Sequence, residues 1–116
     1  MRSRTSYDKG LWAEFLARMY LRIHGFHILK SRYITGRNTQ RAEIDIIARR
    51  GNLIAFIEVK RRNCVKNAWD AITPVQAKRL RRAAETYISN TRWGGDARFD
   101  VIFVCGRHIH WVKNAI

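Results

Sequence analysis

Cysteine is nearly missing from this chain. Cys64 and Cys105 stand alone, with no metal-ligand spacing around either. That excludes a disulfide framework and makes a reducing, cytoplasmic setting the expected one. Proline occurs once, as Pro74, and no proline-, glycine- or serine-rich tract separates one half from the other. A single domain over residues 1–116 is therefore expected, long enough to bury one core without staples. Long apolar runs are also missing: "LWAEFLARMYLRIHGF" is interrupted by Glu14, Arg18 and Arg22. Neither a signal peptide nor a membrane span is expected, so the reading is a soluble protein with no membrane partner. There is no glycine-rich phosphate loop and no G-x-S-x-G elbow, which sets aside nucleotide hydrolysis and serine-triad chemistry.

Acids are scarce. Nine Asp and Glu face 23 Lys and Arg, a formal net charge of +14. Such an excess favours a polyanionic partner, most often nucleic acid, with acidic lipid or protein as the blander alternatives. Against that background, every acid placed among apolar residues needs a reason.

From about Ser6 to His24 the residues Leu11, Trp12, Phe15, Leu16, Met19, Tyr20 and Ile23 recur at helical spacing, and Gly25 marks a stop. Trp12 is expected in the core. "FHILKSRYI" (Phe26 to Ile34) reads as a strand and "TGRNTQ" as a polar loop. Two strands follow, separated by "RRGN", and then the loop "RRNCVKNAWDAI". The second helix has the clearest start: Thr73 caps, Pro74 takes the first helical position, and Gln76 completes a capping box. Ala77, Leu80, Ala84, Tyr87 and Ile88 form its apolar stripe, with Lys78, Arg79, Arg82 and Glu85 off it. "RWGGD" is a turn, "RFDVIFVCG" a strand covered on both faces, and "HIHWV" an edge strand. The order is αβββαβ with a further C-terminal strand. That predicts an α/β fold, a mixed sheet of four to five strands flanked by helices.

The two middle strands carry the anomaly. In "RAEIDIIARRGNLIAFIEVKRR", Glu43, Asp45, Glu58 and Lys60 sit among isoleucines and valines. Strands are depleted in acids, and buried carboxylates are costly unless paired or bound to a cation. Alternation places Glu43, Asp45 and Ile47 on one face, and Ile54, Phe56, Glu58 and Lys60 on one face of the next strand. A turn at Gly51-Asn52 pairs Arg50 with Leu53 and, counting outward, Asp45 with Glu58 and Glu43 with Lys60. Opposed like charges are destabilising. Three reliefs are open: a shared proton, a neighbouring cation such as Lys60, or a metal ion. Two carboxylates suit a hard divalent cation, Mg²⁺ or Mn²⁺. Such an ion beside an ammonium group activates water for attack on a phosphodiester. An ion-paired patch on a solvent-facing edge is the plainer alternative.

Asp45, twelve intervening residues, then Glu58-Val59-Lys60 resembles the D…(D/E)xK signature of the PD-(D/E)xK superfamily, the restriction-endonuclease-like fold, whose common core has the same αβββαβ order. "GLWAEFLARMYL", "AEIDIIARRGNLIAFIEVKRR", "TPVQAKRLRRAAETYI" and "RFDVIFV" together resemble the YraN-like family of small bacterial proteins, grouped with Holliday-junction-resolvase-like nucleases. The resemblance spans Gly10 to Val112. It implies that Asp45 and Glu58 are metal ligands with the Val59 carbonyl as a third, and that Lys60 orients or activates water. It assigns Glu14 to the acid that related resolvases contribute from the first helix. It makes Gln76 and Lys78 substrate contacts, to which the basic Arg61, Arg62, Arg79 and Arg82 are added as nucleic-acid-binding residues. Where the family commonly has glycine, this chain has Ala13 and Ala42.

Among the remaining candidates, Asp100 is expected to pair with Arg98 or another base in a structural role. His108 and His110 share a face of an exposed edge, without the third ligand that zinc requires. Trp69 and Trp93, in loops, are the better candidates for stacking on bases. The leading expectation is a divalent-metal-dependent DNA endonuclease acting on branched or single-stranded DNA. A homodimer is admitted because cutting both strands of a junction takes two active sites. The alternative is a non-catalytic nucleic-acid-binding module of the same fold in DNA repair or recombination.

Overall fold

Helix α1 (Ser6–Ile23) ends where Gly25 takes a left-handed conformation at φ +86°, which a side chain would resist. The computed structural model describes residues 6–36, 41–61 and 72–116. Most of the "TGRNTQ" loop, and Arg62, Cys64 and Trp69 of the expected long loop, lie outside the described residues. After α1 come β1 (His27–Thr35), β2 (Ala42–Arg50), β3 (Leu53–Arg61), α2 (Pro74–Thr91), β4 (Asp96–Cys105) and β5 (His108–Val112). The five strands form one sheet in the order β1-β2-β3-β4-β5. β3 and β4 run parallel, with α2 in the connection between them, and the other pairs are antiparallel. The mixed α/β sheet flanked by helices, with its C-terminal edge strand, is thus the expected fold.

α2 starts as its sequence dictates. The Thr73 side chain accepts from the Gln76 N–H, and Gln76 Oε1 accepts from the Thr73 N–H, both at 3.1 Å. The helix buries Leu80, Ala83, Ala84 and Tyr87 against Ile44, Ile47, Ile54 and Phe56 of the sheet. On the opposite face α1 packs against Ile46, Ala48, Ala55, Ile57, Ile102 and Val104. β4 is covered on both sides, hence its continuous apolar run from Val101 to Val104.

α1 reverses one expectation. It meets the sheet through Ala13, Ala17 and Leu21, all buried, whereas Trp12 is 45% exposed. Two alanines let the helix axis sit close to the strands, and that close approach turns the bulky residues outward. Ala42 is buried in the α2-side cluster and keeps ordinary negative-φ backbone.

Asp100 is fully buried and satisfied by four donors. Arg98 gives two hydrogen bonds of 2.8 Å, and the Trp111 indole and Asn114 N–H give one each at 2.9 Å. It ties β4 to β5 and the C-terminal segment, which is the structural role expected of it.

Candidate active site

The β2–β3 ladder runs from Arg50↔Leu53 to Ile46↔Ile57, in the register that the Gly51-Asn52 turn predicts, and stops there. Asp45 with Glu58, and beyond them Glu43 with Lys60, therefore do not form the regular pairs expected from the turn, because the strands part after Ile46 and Ile57. Instead the Asp45 carboxylate takes over one backbone position: its Oδ2 accepts the Val59 N–H at 2.8 Å. Side-chain alternation shifts phase at the same place. Ile44 packs with the α2-side cluster and Ile46 with the α1-side cluster, where strict period two would put them together. Across β1, Arg32 lies between the pairs Ser31↔Ile46 and Tyr33↔Ile44 and has φ 54°, a left-handed residue facing the Asp45 position. Sheet regularity is lost around Asp45, and there the acids gather.

Burial is the largest cause raising the Asp45 carboxyl, from an ordinary 3.8 to about 8. The charge of Glu58 adds to it, as does that of Glu14, while the Val59 N–H opposes. Glu58 is also raised, by burial above all, against the pull of Lys60. A hydrogen bond joins the two carboxyls, which, both raised by burial, hold a proton between them. Lys60 Nζ lies 3.6 Å from Glu58 Oε1, both side chains mostly buried. A shared proton and a neighbouring cation thus both relieve the repulsion. A third oxygen source is at hand, because in an extended strand the N–H and C=O of one residue point to the same neighbour. The Val59 carbonyl is thereby turned to the side on which Asp45 lies. Two carboxylates and a carbonyl are the hard-oxygen donors that Mg²⁺ takes. Among the described residues, no group of three or more His, Cys, Asp or Glu could hold a metal by itself. The donor set fits a divalent ion that keeps part of its water.

The acids open onto a cleft of about 810 Å³. Ala42, Glu43, Asp45 and Glu58 line one side, and Val75, Gln76, Lys78, Arg79, Leu80 and Arg82 of α2 the other, with Arg41 at the strand entrance. Four of the expected nucleic-acid contacts therefore share a cleft with the two acids. Gln76 gives its carbonyl oxygen to the helix cap, which leaves its amide hydrogens for any ligand. Arg61 is exposed at the end of β3. Arg41 was missed by sequence reasoning, although it stands two residues before Glu43 and alternation would have aligned it.

Glu14, on α1, is held in an ion pair. Arg32 Nε and Nη2 bind its two oxygens at 3.1 and 3.0 Å, and its side chain is 13% exposed. Arg32 carried no signal in the sequence, since contact across 18 positions is a product of the fold. Trp93, expected as a stacking platform, is already covered: Arg49 lies 4.7 Å over its ring, and its indole N–H donates to the Asp96 carbonyl at 2.9 Å. His108 and His110 are exposed, as expected of an edge.

The sequence profile of uncharacterised protein family UPF0102 matches residues 13–104, from the helix that carries Glu14 through both acids and α2 into β4. The chain belongs to UPF0102. A UPF0102 protein of Agrobacterium fabrum is 39% identical over 108 residues, covering 91% of this chain and 85% of that relative. Another, of Paramagnetospirillum magneticum, is 38% identical over 98 residues, covering 83% of this chain and 76% of its own. A third, of Methylorubrum populi, is 38% identical over 108 residues, covering 91% and 83%. Among the described residues of this UPF0102 chain, no helix is long and apolar enough to cross a membrane.

Proposed function

We propose that this chain is a divalent-metal-dependent DNA endonuclease of the PD-(D/E)xK type, acting on branched or single-stranded DNA in the cytoplasm. One observation carries the reading. Asp45 and Glu58, with Lys60 on Glu58, meet at the break in the β2–β3 ladder, and that break opens onto a cleft walled by Lys78, Arg79 and Arg82. Asp45, Glu58 and the Val59 carbonyl would hold Mg²⁺ or Mn²⁺, which would supply positive charge that lowers the barrier to phosphodiester hydrolysis. The chain supplies the rest. Lys60 holds an ammonium beside Glu58, where it orients water and offsets charge developing on the phosphate. The α2 side chains hold neighbouring phosphates and fix the register of the strand in the cleft. The Val59 N–H keeps the Asp45 carboxylate aimed inward.

A second reading, a nucleic-acid-binding module without catalysis, draws support from Glu14. Both of its oxygens are committed to Arg32, so the acid that related resolvases bring from the first helix is already paired. A cleavage assay on branched, single-stranded and duplex DNA with Mg²⁺ or Mn²⁺ separates the two. The nuclease reading expects metal-dependent cutting that both Asp45→Ala and Lys60→Ala abolish. Salt-sensitive binding that survives Asp45→Ala, with no cutting under any metal, establishes the binding module instead.

A further inference from the structure

α1 shows its large apolar side chains to the outside. Leu11, Trp12, Phe15, Met19 and Ile23 are 37, 45, 42, 40 and 77% exposed, while Ala13, Ala17 and Leu21 are at most 2% exposed. At about 100° per residue the two sets point in opposite directions. The outer set is ordered: Trp12 and Phe15 stack with centroids 5.6 Å apart, and Arg22 lies against the Met19 sulfur at 3.7 Å. A helix that is apolar on both faces is one that is covered on both.

The exposed parts of these side chains present roughly 500 Å² of apolar surface, toward the top of what a monomer ordinarily shows to solvent. Two such faces laid together bury about 1,000 Å², the area from which specific interfaces begin. We propose that the outer face of α1 is the seam of a homodimer, with α1 of a second copy packed against it across a two-fold axis. A single helical ridge running through Leu11, Phe15, Met19 and Ile23, each four residues from the next, matches itself under that symmetry, ridge into groove. A lipid surface is the poorer occupant. A helix lying on a membrane turns a charged face to water, whereas the inner face of α1 is spent on the sheet. The seam lies on the α1 side of the sheet, away from α2 and the cleft it walls. Pairing through α1 fixes the distance and orientation of two clefts.

The seam stands independently of the nuclease reading, and its test reads mass rather than cleavage. Each copy carries a net charge of +14, so salt that screens the repulsion strengthens the dimer while it weakens any contact to phosphate. Sedimentation of the full chain across the micromolar range is expected to show a monomer–dimer equilibrium that shifts toward dimer with added salt. Met19→Glu and Ile23→Glu are each expected to raise the dissociation constant by about tenfold or more, as at interface centres, with the near-ultraviolet circular dichroism of the fold retained. Ile23 is the most exposed of the set, so Ile23→Glu carries the test if Met19→Glu disturbs folding. A monomer at every concentration overturns the proposal, and so does a dimer indifferent to both substitutions. A monomer that co-sediments with vesicles of anionic phospholipid overturns it in favour of a membrane surface.

Discussion

The Asp45 carboxylate accepts the Val59 backbone N–H at 2.8 Å, standing where a β2 carbonyl would stand had the ladder continued. A side chain in a backbone's place ends the antiparallel pairing without orphaning a donor. It also fixes one acid of the pair from the strand that carries the other. The arrangement has consequences in titration, in metal binding and in nucleic-acid binding.

Without metal, stability is expected to fall as pH rises. The Asp45 carboxyl is raised in the folded chain to about 8 from an ordinary 3.8, so the folded state holds a proton that the unfolded state releases. The contribution of this group is complete below the ordinary carboxylate range and is lost as pH climbs through about 8; Glu58, also raised, acts in the same direction. Denaturant midpoints of metal-free protein between about pH 5 and about pH 9 read the slope. Asp45→Asn, a neutral group that still accepts from Val59 and can donate to Glu58, is expected to flatten it.

Divalent metal is expected to oppose that loss. Mg²⁺ or Mn²⁺ requires the deprotonated carboxylates, so the rise in melting temperature on adding metal should be larger near pH 8.5 than near pH 6, the order expected when binding expels protons. At a hundredfold excess over its dissociation constant the ion contributes about 2.7 kcal/mol. Calorimetry of Asp45→Asn and Glu58→Gln should show most of that gain gone, while K⁺ at matched ionic strength should produce none.

The basic wall is expected to act through charge. Arg79→Gln and Arg82→Gln should each weaken binding to all DNA sequences alike. Each phosphate contact removed should lower the slope of log affinity against log salt by about 0.9 on duplex and about 0.7 on single strands. Filter binding or fluorescence anisotropy at several salt concentrations measures this. An unchanged slope would place the phosphates elsewhere.

Asp100→Ala is expected to cost about 3 kcal/mol or more, because it strips a buried ion pair of one partner. The same change leaves the Trp111 and Asn114 donors without their acceptor. Chemical denaturation should register the loss. Nucleic-acid affinity per folded molecule should not change, since Asp100 lies outside the residues that line the cleft.

Much of the frame was legible because it is local. Thr73, Pro74 and Gln76 specify the start of α2 within four positions, and Gly51-Asn52 specifies the register of β2 on β3 over the next several residues. Asp45, Glu58 and Lys60 stood out by a known pattern, although the ladder stops one pair short of the two acids. What escaped was decided by tertiary geometry. Periodicity shows that α1 is a helix with apolar residues, but cannot show that two alanines bring it close and turn Trp12 outward. Alternation placed Asp45 beside Ile47, yet the phase shift between Ile44 and Ile46 depends on how β2 parts from β3. Arg32 is one of many arginines until the fold sets it against Glu14.

Finally, β1 is an edge strand and is bent twice. Its pairing with β2 slips between Ile28 and Lys30, and Arg32 turns left-handed a little further on. A ribbon with two such irregularities, flanked by Lys30 and Arg32, offers a poor template for another strand. The consequence concerns growth: at this edge, copies of this chain are steered away from adding sheet to sheet, whereas the α1 seam proposed above would close on itself at two.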